Sequence, residues 1–235
     1  ALRLDDGVSA DIFAAAFESL LRRFPELTTV IAEVEGEPRQ SLRPDASFPL
    51  EYERLGRIDD ALMRDLLRSK ARQPFDLSAG QLARACFIES AHGNYGLIVV
   101  HHIIFDGASA MALLSALAEA IHDLRKNREP VSVPASARFS EYARMEAEFL
   151  ASPAAESQLD YWRARLAGEL PATAIPLNRA RGAGPRVGAT HRMTLPPPLA
   201  EAARLCARDL RINLSALYMG AFALLLSRYA GQAEN

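Results

Sequence analysis

Two cysteines, Cys86 and Cys206, are all that 235 residues contain, and they stand far apart inside apolar segments. Neither belongs to a CxxC pair or another ligand-spaced cluster, which excludes a disulfide framework or a cysteine-based metal site as the organising principle of the fold. Net charge is also scarce: 27 basic against 29 acidic side chains leave −2, with the two signs interspersed. No electrostatic footprint for nucleic acid or an anionic membrane results. The longest apolar stretch, Leu214 to Leu226, is too short and too interrupted by Ser, Tyr and Gly to span a bilayer. No signal-peptide pattern opens the sequence and no repeat of fixed period recurs. What is present is a chain that is 49% apolar, enough for a sizeable core. It is expected to be globular and cytoplasmic, with neither nucleic acid nor membrane as a partner. It starts inside the alternation Ala1-Leu2-Arg3-Leu4 and stops just after a strong helical pattern, as expected of a piece of a longer chain.

Periodicity predicts a mixture of helices and strands. Ser9 caps a helix whose apolar positions, from Ile12 to Phe24, follow the 3.6-residue period until Pro25. Strands are expected over Thr28 to Val34, Arg39 to Leu42 and Leu50 to Leu55, then a helix from Asp59 to Arg72. Leu82 to Glu89 and Tyr95 to Phe105 read as a hairpin turning at Ala91-His92-Gly93-Asn94. Helical spacing resumes over Ala108 to Leu124, Ser140 to Leu150 and Ser157 to Leu166. The only tryptophan, Trp162, and the phenylalanines at helical spacing are expected in the core, as is Cys86. Residues 168–189, rich in Pro, Gly, Ala and Arg without a period, read as a linker. A strand over Thr190 to Leu195, a helix opening near Pro198 and a long helix from Leu214 to Tyr229 follow.

The stretch Val99-Val100-His101-His102-Ile103-Ile104-Phe105-Asp106-Gly107 places two imidazoles at the end of an apolar strand, just before a helix. Neighbouring side chains of a strand point to opposite faces, so only one histidine can face a cavity unless the backbone bends. A histidine on an apolar strand is commonly a hydrogen-bonded core residue. Here, however, an imidazole, a carboxylate and a backbone break converge at one strand end, which suits a chemical site. Adjacent strand histidines diverge and no other His, Cys or carboxylate stands at ligand spacing, so no metal is expected.

The segment His101-His102-Ile103-Ile104-Phe105-Asp106-Gly107 resembles the HHxxxDG signature of the condensation domains of nonribosomal peptide synthetases, relatives of chloramphenicol acetyltransferase. Further landmarks resemble the family in order: Gln73-Pro74-Phe75-Asp76-Leu77 before Leu82-Ala83-Arg84-Ala85, Phe139-Ser140-Glu141-Tyr142-Ala143, Gln158-Leu159-Asp160-Tyr161-Trp162, and Leu224 to Gln232. The resemblance implies an α+β fold of mixed αβ sandwiches, with residues 1–167 as a first lobe, 168–189 as the crossing and 190–235 as the first elements of a similar second lobe. It implies acyl transfer from a carrier-bound thioester to an amine or hydroxyl, with acyl or peptidyl carrier proteins and neighbouring synthetase domains as partners. No cofactor is bound directly; the phosphopantetheine arms belong to the carriers. The piece by itself is expected to be inactive. The alternatives are a non-catalytic member of the fold that docks carrier proteins or a partner enzyme, and a free-standing acyltransferase using CoA. Within this reading His102 is the acting imidazole, suited to accept or hold a proton near neutral pH. His101 is structural, and Gly107 admits close backbone approach and offers an amide to an oxyanion. Asp106 is expected to pair with an arginine. Where the family has a second arginine after its RHExL run, this chain has Thr28, so the partner passes to Arg23 or Arg84.

Overall fold

The computed structural model describes residues 1–43, 48, 50–78, 81–130, 138–169 and 190–231. It divides into two compact units, Ala1–Glu148 and Phe149–Asn235. In the first, β1 (Leu2–Leu4) leads into α1 (Ala10–Arg23), a 3-10 turn (Pro25–Thr28), β2 (Thr29–Val34), β3 (Glu37–Leu42) and β4 (Glu51–Arg54). Then come α2 (Asp60–Arg72), β5 (Ala83–Ser90), β6 (Gly93–Val100), a second 3-10 turn (His102–Ile104), α3 (Gly107–Arg125) and α4 (Phe139–Leu150), whose last two residues fall in the second unit.

Four strands form one sheet in the order β1-β6-β5-β4, while β2 and β3 make a separate two-stranded ribbon. Only β4 pairs in parallel, with β5, and α2 is the crossover that such a pair requires. Strand β5 is apolar on both faces because both are covered. Ala83, Ala85 and Phe87 join the cluster of α1 and α3, whereas Cys86 and Ile88 join Met63 and Leu97 beneath α2. The period of two thus splits one strand between two cores. Ser9 caps α1, accepting a hydrogen bond from Ile12 N–H, and Asp59 caps α2 through Leu62 N–H. Lys70 fastens α2 to the sheet edge: its Nζ lies 2.9 Å from Glu51 Oε2 and 2.7 Å from Glu53 Oε1 on β4. Burial works against that ammonium, yet the hydrogen bonds to Glu53 and Glu51 outweigh it and raise its pKa. In the ribbon, Glu35 and Gly36 both take positive φ (56° and 82°), the geometry of a type I′ hairpin turn.

The second unit holds α5 (Pro153–Arg165), α6 (Pro197–Asp209) and α7 (Leu214–Ala230), with α6 and α7 meeting at 104°. The element order agrees with the sequence reading at most positions, with four differences. Strand β6 stops at Val100, five residues short of Phe105, for a reason taken up below. Helix α5 starts at Pro153 and not at Ser157, because Ser152 caps it and proline suits the first helical position. Residues 190–196 form no strand: no described strand stands beside them to satisfy their backbone. Trp162 is 55% exposed, packed edge-on against Tyr161 and not in a core, and the helical Phe139, Phe149 and Phe222 are exposed likewise. Apolar spacing identifies a helix face; it does not supply the element that covers it. Cys86 is buried as expected, and from residue 170 on the linker lies outside the described residues.

The closest approach in the sheet is at Gly96, where an added Cβ would sit 2.5 Å from the ring of Phe13 on α1. Phe13 is fully buried, so the ring has no room to retreat. Gly96→Ala is expected to destabilise the protein by about 1–3 kcal/mol through overpacking. Phe13→Leu in the same chain is expected to recover part of the loss. Urea unfolding of the single and double variants checks both.

Candidate functional site

The β5–β6 ladder runs to the pair Ala83 and Val100 and then closes on a last hydrogen bond, His101 N–H to Leu82 O at 2.8 Å. His101 is still extended, and its Nδ1 accepts from Ile103 N–H at 3.1 Å, drawing the chain into the 3-10 turn. Ile104 N–H and Phe105 N–H donate to the carbonyls of His101 and His102, completing it. This local hydrogen bonding ends the strand before His102. The opposed-face rule therefore does not govern the two histidines. They differ because the backbone bends between them.

His101 is half-buried, edge-on to Phe75 with ring centroids 5.8 Å apart. His102 is exposed on the wall of a cavity of about 430 Å³. The wall continues through Ile103, Ile104, Phe105 and Asp106 to Ser109, Ala112 and Leu113 of α3. Opposite contributions come from Phe24, Glu26 and Leu27, from Thr29 of β2, Gln40 of β3 and Phe139 of α4. Sequence reading brought His102 and Asp106 to this place but missed Glu26 and Gln40, which no local pattern marks.

Asp106 is the N-cap of α3. Its Oδ1 accepts from Ser109 N–H at 2.8 Å and from the Ser109 hydroxyl at 2.7 Å. These bonds, with smaller contributions from Ala108 N–H and the charge of His102, hold its pKa below the ordinary carboxylate value. The arginine partner expected for Asp106 is not what the structure builds. Arg23, at the end of α1, faces α3 three turns further along and pairs with Glu119 at 2.7 Å. Arg84 points to the carbonyls that end α2, donating to Lys70 O at 3.1 Å, Pro74 O at 3.3 Å and Gln73 O. Thr28 is buried in its own turn, its hydroxyl on Pro25 O at 2.7 Å. Ser109 meets the need because Asp-x-x-Ser at a helix start is a capping pattern, a signal the sequence carries. Gly107 is the first residue of α3 and a Cβ there would meet nothing within 4 Å among the described residues, so none of them demands glycine. Its N–H is among the amides a helix leaves without an internal acceptor.

A family model described as the condensation domain matches residues 1–235. The chain is 31% identical over 233 residues to polyketide synthase PksN of Bacillus subtilis (strain 168), covering 99% of the chain and 4% of PksN. The condensation domain behind chain release from the enacyloxin polyketide synthase superposes with a TM-score of 0.72 at 25% identity, over 98% of this chain and 46% of that one. The X-domain from teicoplanin biosynthesis superposes with a TM-score of 0.83 at 24% identity, over 94% of this chain and 50% of that one. The chain thus spans a small part of the synthase and about half of each solved domain. The expected α+β, chloramphenicol-acetyltransferase-like fold is the fold observed.

The capping role of Asp106 separates its shape from its charge. Asp106→Asn keeps an acceptor for Ser109 and is expected to leave the melting temperature nearly unchanged at neutral pH, whereas Asp106→Ala lowers it. Because the folded state holds this pKa down, the carboxylate's contribution is present above the ordinary Asp range and is lost as pH falls through the folded value. Melting curves from neutral to acid pH are expected to show that loss in the wild type and a smaller one in Asp106→Asn.

Proposed function

The chain belongs to the condensation-domain family, and on that premise we propose that it carries the reacting histidine of an acyl-transfer centre. The centre joins an acyl or peptidyl thioester, borne by the phosphopantetheine arm of a carrier protein, to an amine or hydroxyl acceptor in nonribosomal peptide or hybrid polyketide assembly. The observation that carries this reading is the placement of His102: exposed on a cavity wall, one turn before the N-terminus of α3, whose cap is an ionised carboxylate. Residues 1–167 are read as the first lobe, 168–189 as the crossing and 190–235 as the opening of the second.

The acceptor's lone pair attacks the thioester carbonyl carbon, and the carbonyl oxygen becomes an oxyanion. Collapse of this intermediate expels the carrier's thiolate and forms the amide or ester bond. The attacking group must shed a proton, and His102 is the imidazole placed to accept it or to hold the group in line. Gly107 N–H, the first amide of α3, offers a donor to negative charge developing beside it. Asp106 is engaged by Ser109 and stays an anion, which disfavours negative charge on substrate beside it. His101, with Nδ1 already accepting from Ile103 N–H, supports the turn and has no part in proton transfer.

A second reading draws on one neighbour: the teicoplanin X-domain, solved in complex with OxyB, superposes with a TM-score of 0.81. On that reading the chain recruits a partner and performs no chemistry.

His102→Ala in the full-length protein distinguishes the two. Product formation on the carrier is expected to fall by about 10²- to 10⁴-fold, the usual worth of a positioned acid–base group. Thermal unfolding is expected to stay in place, since an exposed side chain away from the core costs little to truncate. Intact-protein mass spectrometry of the loaded carriers reads the product. Undiminished turnover overturns the catalytic assignment and favours recruitment.

A further inference from the structure

Phe75 is not among the residues that line the cavity, yet its ring meets both Arg84 of β5 and His101 just beyond the end of β6. One face of its ring receives the guanidinium of Arg84, whose central carbon is 4.1 Å from the ring centroid. His101 meets the ring edge-on at 5.8 Å. Arg84 is held in turn by the carbonyls of Lys70, Gln73 and Pro74 at the end of α2, which its planar fork can engage together. Its Nε is buried without a hydrogen-bond partner among the described residues, so the Phe75 ring is part of what compensates this cation. The loop carrying Phe75 is anchored beyond the ring as well, where Leu77 O accepts from Ile31 N–H at 3.0 Å.

From this geometry we propose that Phe75 and Arg84 are positioning residues for His102, acting through His101. Arg84 fixes the plane of Phe75, and Phe75 fixes the ring of His101. His101 Nδ1, by accepting from Ile103 N–H, sets the turn whose first residue is His102. Each link is directional, and neither Phe75, Arg84 nor His101 is among the residues that line the cavity. A leucine at 75 would fill space but offer no flat face to Arg84 and no ring for His101. A lysine at 84 would keep the charge but lose the fork.

The proposal rests on His102 as the reacting imidazole, and the test keeps the two apart by using two readouts on the full-length protein. The first is the rate at which diethyl pyrocarbonate modifies His102, followed by peptide mass mapping, which needs neither substrate nor activity. Phe75→Leu and Arg84→Lys are expected to change that rate several-fold at unchanged secondary structure, and Phe75→Tyr, which restores a ring, is expected to return it to the wild-type value. The second is product formation on the carriers, expected to fall roughly tenfold in Phe75→Leu and Arg84→Lys, the scale of a modest misplacement, and to recover in Phe75→Tyr. Arg84→Lys serves alone if Phe75→Leu does not fold. A wild-type modification rate in folded Phe75→Leu or Arg84→Lys overturns the proposal. Altered modification alongside an active His102→Ala would uphold the positioning chain and sink the catalytic reading instead.

Discussion

The hydrogen bond from His101 N–H to Leu82 O is where the β5–β6 ladder ends, and the site is built outward from that end. Up to Val100 the backbone is paired with β5, with β1 on its other side over 94–96, and apolar side chains fill both faces of β5. Beyond it the backbone must find other partners. It finds them locally, in the imidazole of His101 and in its own carbonyls, and the price is one tight turn before α3 can begin. A histidine at the end of a ladder buried on both faces inherits the stiffness of the sheet while standing clear of it, which is what a positioned reacting group requires.

Charge around the turn is arranged by distance along α3. At its start Asp106 is satisfied by Ser109; three turns on, Glu119 takes Arg23. Each anion therefore has a short-range partner, and neither arginine that could have reached Asp106 is free to do so. Glu119 is drawn below the ordinary carboxylate range by Arg23, and Asp106 by Ser109, so both remain ionised for different reasons. The helix N-terminus rewards the first of them and has no bearing on the second.

The fold was legible wherever the signal was local. Ser9 announces a helix that begins where it stands, and its side chain, like those of Asp59 and Asn213, accepts from the N–H three residues on. The hairpin of β5 and β6 was legible from apolar runs on either side of Ala91-His92-Gly93-Asn94, of which Gly93 and Asn94 already pair in β6. What escaped was decided by partners distant in sequence or by competition between two local patterns. His101 through Phe105 reads as strand by hydrophobicity, but a side-chain acceptor at His101 favours a turn. Thr190 through Leu195 has a strand's composition and no neighbour to pair with among the described residues. The partner of Asp106 was sought among cations, because a carboxylate in an apolar setting suggests one; the cap offered by Ser109 was nearer and uncharged. Phe75 and Arg84 were recognisable as landmarks, but that they meet each other and His101 depends on where α2 ends, which no spacing reveals.

The ribbon of β2 and β3 shares no ladder with the four-stranded sheet, although Thr29 and Gln40 contribute to the cavity. Two-stranded ribbons twist more readily than wide sheets and are less stable alone. The cavity therefore has a stiff side, set by the sheet and α3, and a compliant side that can be re-cut. A change at Gln40 alters the space open to an incoming group without disturbing the strand that presents His102. Under the proposed acyl transfer, such a division would leave the width of the cavity to the ribbon and the reacting imidazole to the end of the sheet.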